Sequence, residues 1–172
     1  DARGAFSRGD WVAAFEGWSS GADAGSLAPA DLEDLATAAE LLGHHDHAVR
    51  SLQAAFTGHL ASDQRERAVW CAFRLAMTTV SHGEPALFAG WVARAESLAV
   101  EGDGAGSGWV AFLRMFRALQ AGRHDDAATS AAAAVAVGLR EGNADLIAMG
   151  LCAQGRMALY RGQVAEGLAL LD

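Results

Sequence analysis

The chain has 172 residues, of which 52% are apolar, and a formal net charge of −8 at pH 7. This length suits one domain with a sizeable core, and the apolar content excludes a disordered chain. The acidic balance, with 13 basic residues that are all arginine, argues against nucleic-acid contact, which needs clustered positive charge.

The two cysteines and the hydropathy pattern indicate the cellular compartment of the protein. Cys71 and Cys152 stand far apart, outside any C-x-x-C motif, so the sequence predicts neither a disulfide framework nor a zinc ribbon. No apolar run approaches the roughly 18 residues needed to cross a membrane. A cytoplasmic protein without membrane contact is therefore expected.

Helix-forming residues dominate the chain, with one isoleucine, one tyrosine and no alternating β-branched run. The pattern predicts ten helical segments, the outermost two incomplete, as in a fragment of a longer multidomain protein. Pro29, Ser62 and Asn143 are the expected start signals of the helices that follow them. Four stretches are interpreted as connectors, at residues 19–29, 57–63, 101–108 and 141–145.

Short turns centred on a glycine recur along the chain. The glycines are Gly9, Gly43, Gly83, Gly122 and Gly162, at separations of 34, 40, 39 and 40 residues. Glycine supplies the left-handed conformation that ends a helix. A near-constant period with a helix on either side of each turn predicts a solenoid of helical hairpins.

Small residues flank these turns at fixed distances. Four of the five residues seven places before the glycine are alanine or glycine, as are four of the five residues five places after it. They would let the two helices of a hairpin approach closely. The second helix resembles that of tetratricopeptide repeats (TPRs), A-x-x-x-F, at Ala14–Trp18 and Ala48–Leu52. We therefore expect residues 1–172 to form a single all-α domain, a right-handed solenoid of about five TPR-like helical hairpins.

Three stretches, "LATAAELLGHHDHAVRSLQAAF", "CAFRLAMTTVSHGEPALFAGWVARAESL" and "LYRGQVAEGLALLD", resemble the repeat region of actinobacterial LuxR-type transcription regulators. The resemblance covers essentially the whole chain and is carried mostly by packing residues. It implies a sensor or regulatory scaffold. The chain has no recognisable helix-turn-helix, so the DNA binding of that family does not extend to this segment.

The stretch His44-His45-Asp46-His47 could be a metal site or a solvated turn. A zinc site needs ligands that converge on one point, and only His44 and His47 could share a helix face. The same slot in the other turns holds varied polar residues, so the turn is the preferred interpretation and no metal is predicted.

No motif indicates catalysis. The glycine-rich stretch at residues 102–108 lacks the lysine of a phosphate-binding loop and is interpreted as a flexible connector. Cys71 and Cys152 are expected to be buried thiols, and Glu33, Asp34 and Glu40 to form a solvated helix face. We predict a non-enzymatic protein without a cofactor.

One constellation stands above this background. If the first helix of each hairpin lines a concave groove, that groove is acidic at Glu33, Thr37 and Glu40. Its remainder holds Trp70, Phe73, Met77, Trp109, Phe112, Phe116, Met149, Cys152, Arg156 and Tyr160. Such a wall suits a small apolar ligand, a peptide or a partner domain, unless these residues are only core. The predicted function is a binding and regulatory module, and the alternative is a scaffold or homodimerisation module without a ligand.

Overall fold

The computed structural model describes residues 1–23, 27–99 and 104–172. Within these ranges the chain is helical without a strand, which confirms the predicted all-α class and the ten helical segments. The helices are α1 (Ala2–Ser7), α2 (Trp11–Asp23), α3 (Pro29–Leu41), α4 (His45–Ala61), α5 (Arg65–Ser81), α6 (Pro85–Leu98), α7 (Gly104–Gln120), α8 (His124–Glu141), α9 (Ala144–Tyr160) and α10 (Val164–Leu171).

The chain forms two compact units, Asp1–Trp91 and Val92–Asp172, and α6 contains the boundary. In the first unit, α1 packs against α2, α2 against α3, α3 against α4, and α4 against α5. In the second unit, the consecutive helices from α7 to α10 pack against one another in the same way, and α7 also contacts α9. The fold within each unit is thus built from contacts between helices that are close in sequence.

The five predicted glycine turns share one backbone geometry. Gly9, Gly43, Gly83, Gly122 and Gly162 have φ between +70° and +78°. In each turn the amide after the glycine donates to the carbonyl five residues before that amide, at 2.8–3.0 Å. This is the Schellman arrangement, which satisfies a carbonyl that the helix end leaves open. The predicted role of the glycines is confirmed.

Two further turns have the same geometry. Both lie in segments that the sequence predicts to be connectors between hairpins. Asp63 and Gly142 have φ of 53° and 65°, and the following amides, of Gln64 and Asn143, donate to carbonyls five residues earlier at 2.9 Å. The turns at 43, 63 and 83 are thus evenly spaced, as are those at 122, 142 and 162. The unit that recurs is one helix of about 17 residues with its turn.

Several predicted boundaries are wrong because the helices are longer than the sequence suggests. Residues 57–61 belong to α4, and Ser62 ends that helix instead of starting α5. Residues 104–108 form the first turns of α7, although they were expected to be a flexible connector. Residues 19–23, also predicted as a connector, belong to α2, and connector positions 24–26 and 101–103 lie outside the described residues. Pro29 and Asn143 start α3 and α9 as predicted, and the Asn143 side chain accepts from the Leu146 amide.

Close helix contacts explain why glycine occurs inside α7. A Cβ atom on Gly108 would overlap with Cδ2 of Leu146 and would lie 2.9 Å from Cγ1 of Val137. Glycine lowers the stability of a helix interior by about 1 kcal/mol relative to alanine, but here alanine does not fit. Gly108 therefore lets α7 approach α8 and α9, which places the inner face of α7 beside α9.

Candidate ligand pocket

Helices α7 and α9 of the second unit enclose a pocket of about 240 Å³. Nine of the ten lining residues carry apolar or sulfur-containing side chains, and the tenth is an arginine. The lining residues are Phe112, Met115, Phe116, Leu119, Ala148, Met149, Cys152, Ala153, Arg156 and Met157. An apolar cavity with a single charged group has the composition of a small-molecule site.

The helical repeat places these side chains on facing surfaces. On α7, Phe112, Phe116 and Leu119 follow the spacing i, i+4, i+7, which keeps them on one face. The rings of Phe112 and Phe116 have centroids 5.5 Å apart and are tilted by 55°. On α9, Met149 and Arg156 are seven residues apart and share the face that borders the pocket. The pocket wall therefore follows from two helices whose faces are set by sequence spacing.

Exposure divides the pocket into a floor and a rim. Phe112, Met115 and Met157 are buried and form an apolar floor, whereas Cys152 and Arg156 are exposed at the rim. Met115 and Met157 are flexible, polarizable side chains that adapt to irregular ligand shapes. A bound molecule would place its apolar part against the floor and its polar part toward Arg156.

Arg156 differs from most arginines around it. In the second unit, five arginines form ion pairs: Arg114 and Arg117 with Glu96, Arg123 with Asp126, Arg140 with Glu141, and Arg161 with Asp125. No carboxylate in the described part of the chain pairs with Arg156. Its guanidinium therefore remains available to a ligand.

The structure brings together five of the predicted groove residues. The pocket is lined by Phe112, Phe116, Met149, Cys152 and Arg156. Trp109 is buried one turn before Phe112 and is not part of the pocket wall. Tyr160 is 66% exposed, with its ring centroid 6.4 Å from that of His124.

The other three predicted groove residues lie on α5 in the first unit. Trp70 stacks on Phe73, with ring centroids 5.4 Å apart and 14° between planes. Phe73 is buried, while Trp70 and Met77 are half-buried. The prediction that these residues and those of α7 and α9 share one concave groove stays a prediction.

Five of the lining residues are not among the predicted groove residues: Met115, Leu119, Ala148, Ala153 and Met157. The spacing of Leu119 from Phe112 is a signal that could have found it, since seven residues are two helical turns. Met115 lies seven residues before Gly122, at a place that the other four repeats fill with alanine or glycine. Its large side chain at this place is the stronger signal of a widened helix contact.

The first unit contains a second cluster, which the sequence did not indicate. Glu33 is buried, and its Oε1 lies 2.6 Å from Nε2 of His59 and 2.9 Å from a guanidinium nitrogen of Arg67. Nδ1 of His59 lies 2.8 Å from Oε1 of Gln64, and Arg74 donates to the Glu33 carbonyl at 3.3 Å. The expectation of a solvated face is therefore wrong for Glu33, whose carboxylate joins α3, α4 and α5.

The same cluster contains the one set of three potential metal ligands in the described ranges. Ligand atoms of Glu33, His59 and Cys71 lie within 4.8 Å of one another, and all three residues are buried. Burial raises the pKa of the Cys71 thiol to about 12, so at neutral pH an uncharged thiol lies beside Glu33 and His59. Arg67 and Arg74 add positive charge beside the carboxylate. This donor set suits a hydrogen-bonded ion-pair cluster better than a cation site.

The histidine-rich stretch makes aromatic contacts. The ring of His44 stacks on Phe15 with centroids 4.7 Å apart, and His47 meets the same ring edge-on at 5.3 Å. His45 lies 5.1 Å from His82. Within the part of the chain that is described, none of these histidines belongs to a set of three converging ligands. The interpretation as a turn is consistent with these contacts, and the absence of a physiological metal stays a prediction.

The two cysteines differ in exposure. Cys71 is buried, as expected, but Cys152 is exposed on α9 at the pocket rim, so its predicted burial is wrong. The reason is that α9 turns the face carrying Cys152 and Arg156 toward the open side of the pocket. Cys152 therefore offers an accessible thiol beside the candidate site.

Comparison with known proteins found no matching family model, no similar curated protein and no similar solved structure. Among the described residues, no helix is both long and apolar enough to cross a membrane.

Proposed function

We propose that this chain is a non-enzymatic binding module and that the pocket between α7 and α9 holds a small apolar ligand. The observation that carries the proposal is the lining itself: nine apolar or sulfur-containing residues and one arginine around about 240 Å³. A volume of about 150 Å³ between apolar side chains is enough to hold benzene. Pockets for drug-sized molecules start at about 300 Å³. The volume thus favours a compact ligand over a peptide.

The regulatory setting of this module is also a proposal. The resemblance of three stretches to the repeat region of LuxR-type transcription regulators supports a role as their sensor or signal-transmission segment. The regular turns support membership in a right-handed TPR-like solenoid. In such an array a ligand that fits one arrangement of neighbouring helices better than another would shift the population toward it. The changed arrangement of these helices would then transmit ligand binding to neighbouring parts of the regulator.

The pocket can be tested with octan-1-ol, a neutral molecule with a flexible apolar chain, by isothermal titration calorimetry. Ala148 is an exposed lining residue, so Ala148→Trp fills the pocket mouth with an indole ring. Ala132 is an exposed alanine on α8 outside the pocket, and Ala132→Trp is the matched control. We expect the A132W and unmodified proteins to bind alike, and A148W to bind at least about tenfold more weakly. Equal binding by A148W and the unmodified protein would place the site elsewhere.

A series of linear alcohols measures how much of the pocket is filled. Each buried methylene contributes about 0.8 kcal/mol, which is about fourfold in affinity. We expect affinity to rise at about this rate from butan-1-ol upward and then to level off once the 240 Å³ volume is full. A series with no such rise would contradict binding in an apolar pocket.

The second candidate function is homodimerisation without a ligand, and an exposed apolar face on α10 favours it. Val164, Leu168 and Leu171 follow the spacing i, i+4, i+7 and are 56%, 52% and 39% exposed. A second copy could cover this face. Light scattering during size-exclusion chromatography tests it: a dimer that Leu168→Glu dissociates, while Leu139→Glu on α8 does not, would support it. A monomer at all accessible concentrations would exclude it.

A further inference from the structure

We propose that the pocket between α7 and α9 selects small amphiphilic acids, and that Arg156 binds their carboxylate. Such a ligand has one compact apolar body and one carboxylate group. This inference rests on the proposed function of the same pocket and names the chemical class of its ligand. It follows from three observations: the charge at the rim, the composition of the floor and the size of the cavity.

The charge at the rim comes from Arg156 alone. It is the one charged residue among the ten that line the pocket, and no described carboxylate pairs with it. The chain has a net charge of −8, with 21 acidic residues against 13 basic ones, and five arginines of the second unit pair with a carboxylate, whereas Arg156 pairs with none of the described ones. Its guanidinium matches a carboxylate through two parallel N–H···O hydrogen bonds.

The floor requires the rest of the ligand to be apolar. Phe112, Met115, Ala153 and Met157 are buried and provide no polar side-chain group. A polar ligand would lose its hydration there without replacement hydrogen bonds, which is unfavourable. The exposed position of Arg156 keeps the carboxylate partly hydrated, so the charged end avoids the full desolvation penalty. The two ends of the pocket therefore match the two ends of an amphiphilic acid.

The chemistry of the lining also disfavours other ligand classes. No carboxylate lines the pocket, so a cationic ligand would meet only the positive charge of Arg156. A sugar or nucleoside would need several polar partners that the floor lacks. The volume of about 240 Å³ limits the apolar body to one short chain or one small ring system.

The test compares octanoate with octan-1-ol, which have the same chain length and differ in charge, by calorimetry at pH 7.5. We expect octanoate to bind about fivefold more tightly, the modest preference that an exposed ion pair provides. Arg156→Gln, which keeps amide donors but removes the charge, should reduce this preference ratio to about one. Arg156→Lys should retain most of it. Arg140→Gln removes a charge from α8 outside the pocket and should leave the ratio unchanged.

The salt dependence of binding is an independent test of the proposed ion pair between Arg156 and the ligand carboxylate. Raising sodium chloride from 0.05 to 0.5 M should reduce the octanoate preference, because screening weakens a charge pair but not apolar burial. Equal affinity for the acid and the alcohol, or an unchanged ratio in R156Q, would overturn the inference and leave the ligand pocket standing. Failure of both molecules to bind would overturn the pocket as well.

Discussion

A Cβ atom on Gly155 would lie 2.9 Å from the carbonyl oxygen of Gly167, and a Cβ atom on Gly167 would lie 2.8 Å from the carbonyl oxygen of Gly155. The backbones of α9 and α10 therefore touch at these two residues. Both occupy the places, seven before and five after the turn glycine, at which the sequence predicted small residues. Their contact sets how closely α10 packs against α9, the helix that carries one wall of the pocket.

This contact predicts that Gly167→Ala destabilises the second unit. The added methyl group would also meet Cγ of Leu159 at 2.7 Å, and overpacking of this kind costs about 1–3 kcal/mol. The higher helix propensity of alanine relative to glycine offsets at most about 1 kcal/mol of this cost. We expect a net loss of about 1–2 kcal/mol in the free energy of unfolding in urea.

Gly4→Ala is the control for this prediction. The nearest atom to its new methyl group is a guanidinium nitrogen of Arg8, 3.3 Å away at the end of a flexible side chain. We expect no loss of stability there. A Gly167→Ala protein as stable as the unmodified one would show that α9 and α10 can separate without penalty.

The contact between Glu33 and His59 predicts strong thermodynamic coupling in the first unit. His59→Leu leaves the buried Glu33 carboxylate with one hydrogen bond fewer, and Glu33→Gln removes the charge that faces His59 and Arg67, so each should destabilise by about 2–3 kcal/mol. The double variant should lose less than the sum, with a coupling energy of about 1–3 kcal/mol. Urea unfolding of the four proteins measures this coupling.

An exposed ion pair serves as the comparison for the double-mutant cycle of Glu33 and His59. Arg65 and Asp63 are 65% and 87% exposed, so Arg65→Gln should change stability by less than about 0.5 kcal/mol. Additive effects of Glu33→Gln and His59→Leu would show that the two residues do not stabilise one another.

Acid should weaken the second unit through Glu96. Burial acts to raise the pKa of this carboxyl, but hydrogen bonds from Arg114 and Arg117 outweigh it and hold the pKa below 4.5. A carboxyl with a lowered folded-state pKa stabilises the fold above its unfolded-state pKa. That stabilisation is lost as the pH falls from about 4.5 through the folded-state value.

The corresponding variant is Glu96→Gln. Because both arginines are 43–47% exposed, we expect it to lower the free energy of unfolding at pH 7 by only about 1 kcal/mol. The difference should shrink between pH 5 and pH 3, as measured by urea unfolding at each pH. Glu141→Gln, at a surface pair with Arg140, should show a smaller effect. A Glu96→Gln penalty that is constant with pH would contradict this account.

Much of the helical framework could be predicted because local chemistry determines it. Gly9, Gly43, Gly83, Gly122 and Gly162 mark turns whose left-handed backbone needs glycine, and those turns occur where expected. The equivalent turn at Asp63 is not predicted from the sequence, because its left-handed residue is not glycine. Aspartate adopts this conformation less often, since its Cβ atom is crowded there, so the sequence carries a weaker signal.

The sites were harder to predict because they depend on contacts between helices. The sequence of α3 alone predicts Glu33 on the surface. Its burial is explained by contacts with His59 of α4 and Arg67 of α5, which are distant in the sequence. A clue existed in α4, where Ala48, Leu52, Ala55 and His59 follow one helical face. For the pocket, spacing indicated Phe112, Phe116, Met149 and Arg156, but the sequence could not show the gap left between α7 and α9.

The measurement that tests the ligand pocket most directly is the alkylation rate of Cys152 by iodoacetamide, with and without octan-1-ol. Cys152 lies exposed at the pocket rim, while Cys71 is buried with its pKa raised to about 12, so Cys71 should stay unmodified as an internal standard. We predict that saturating octan-1-ol slows Cys152 alkylation at least about threefold in the unmodified protein and has no effect in A148W. An alkylation rate of Cys152 that octan-1-ol leaves unchanged in the unmodified protein would contradict a ligand site between α7 and α9.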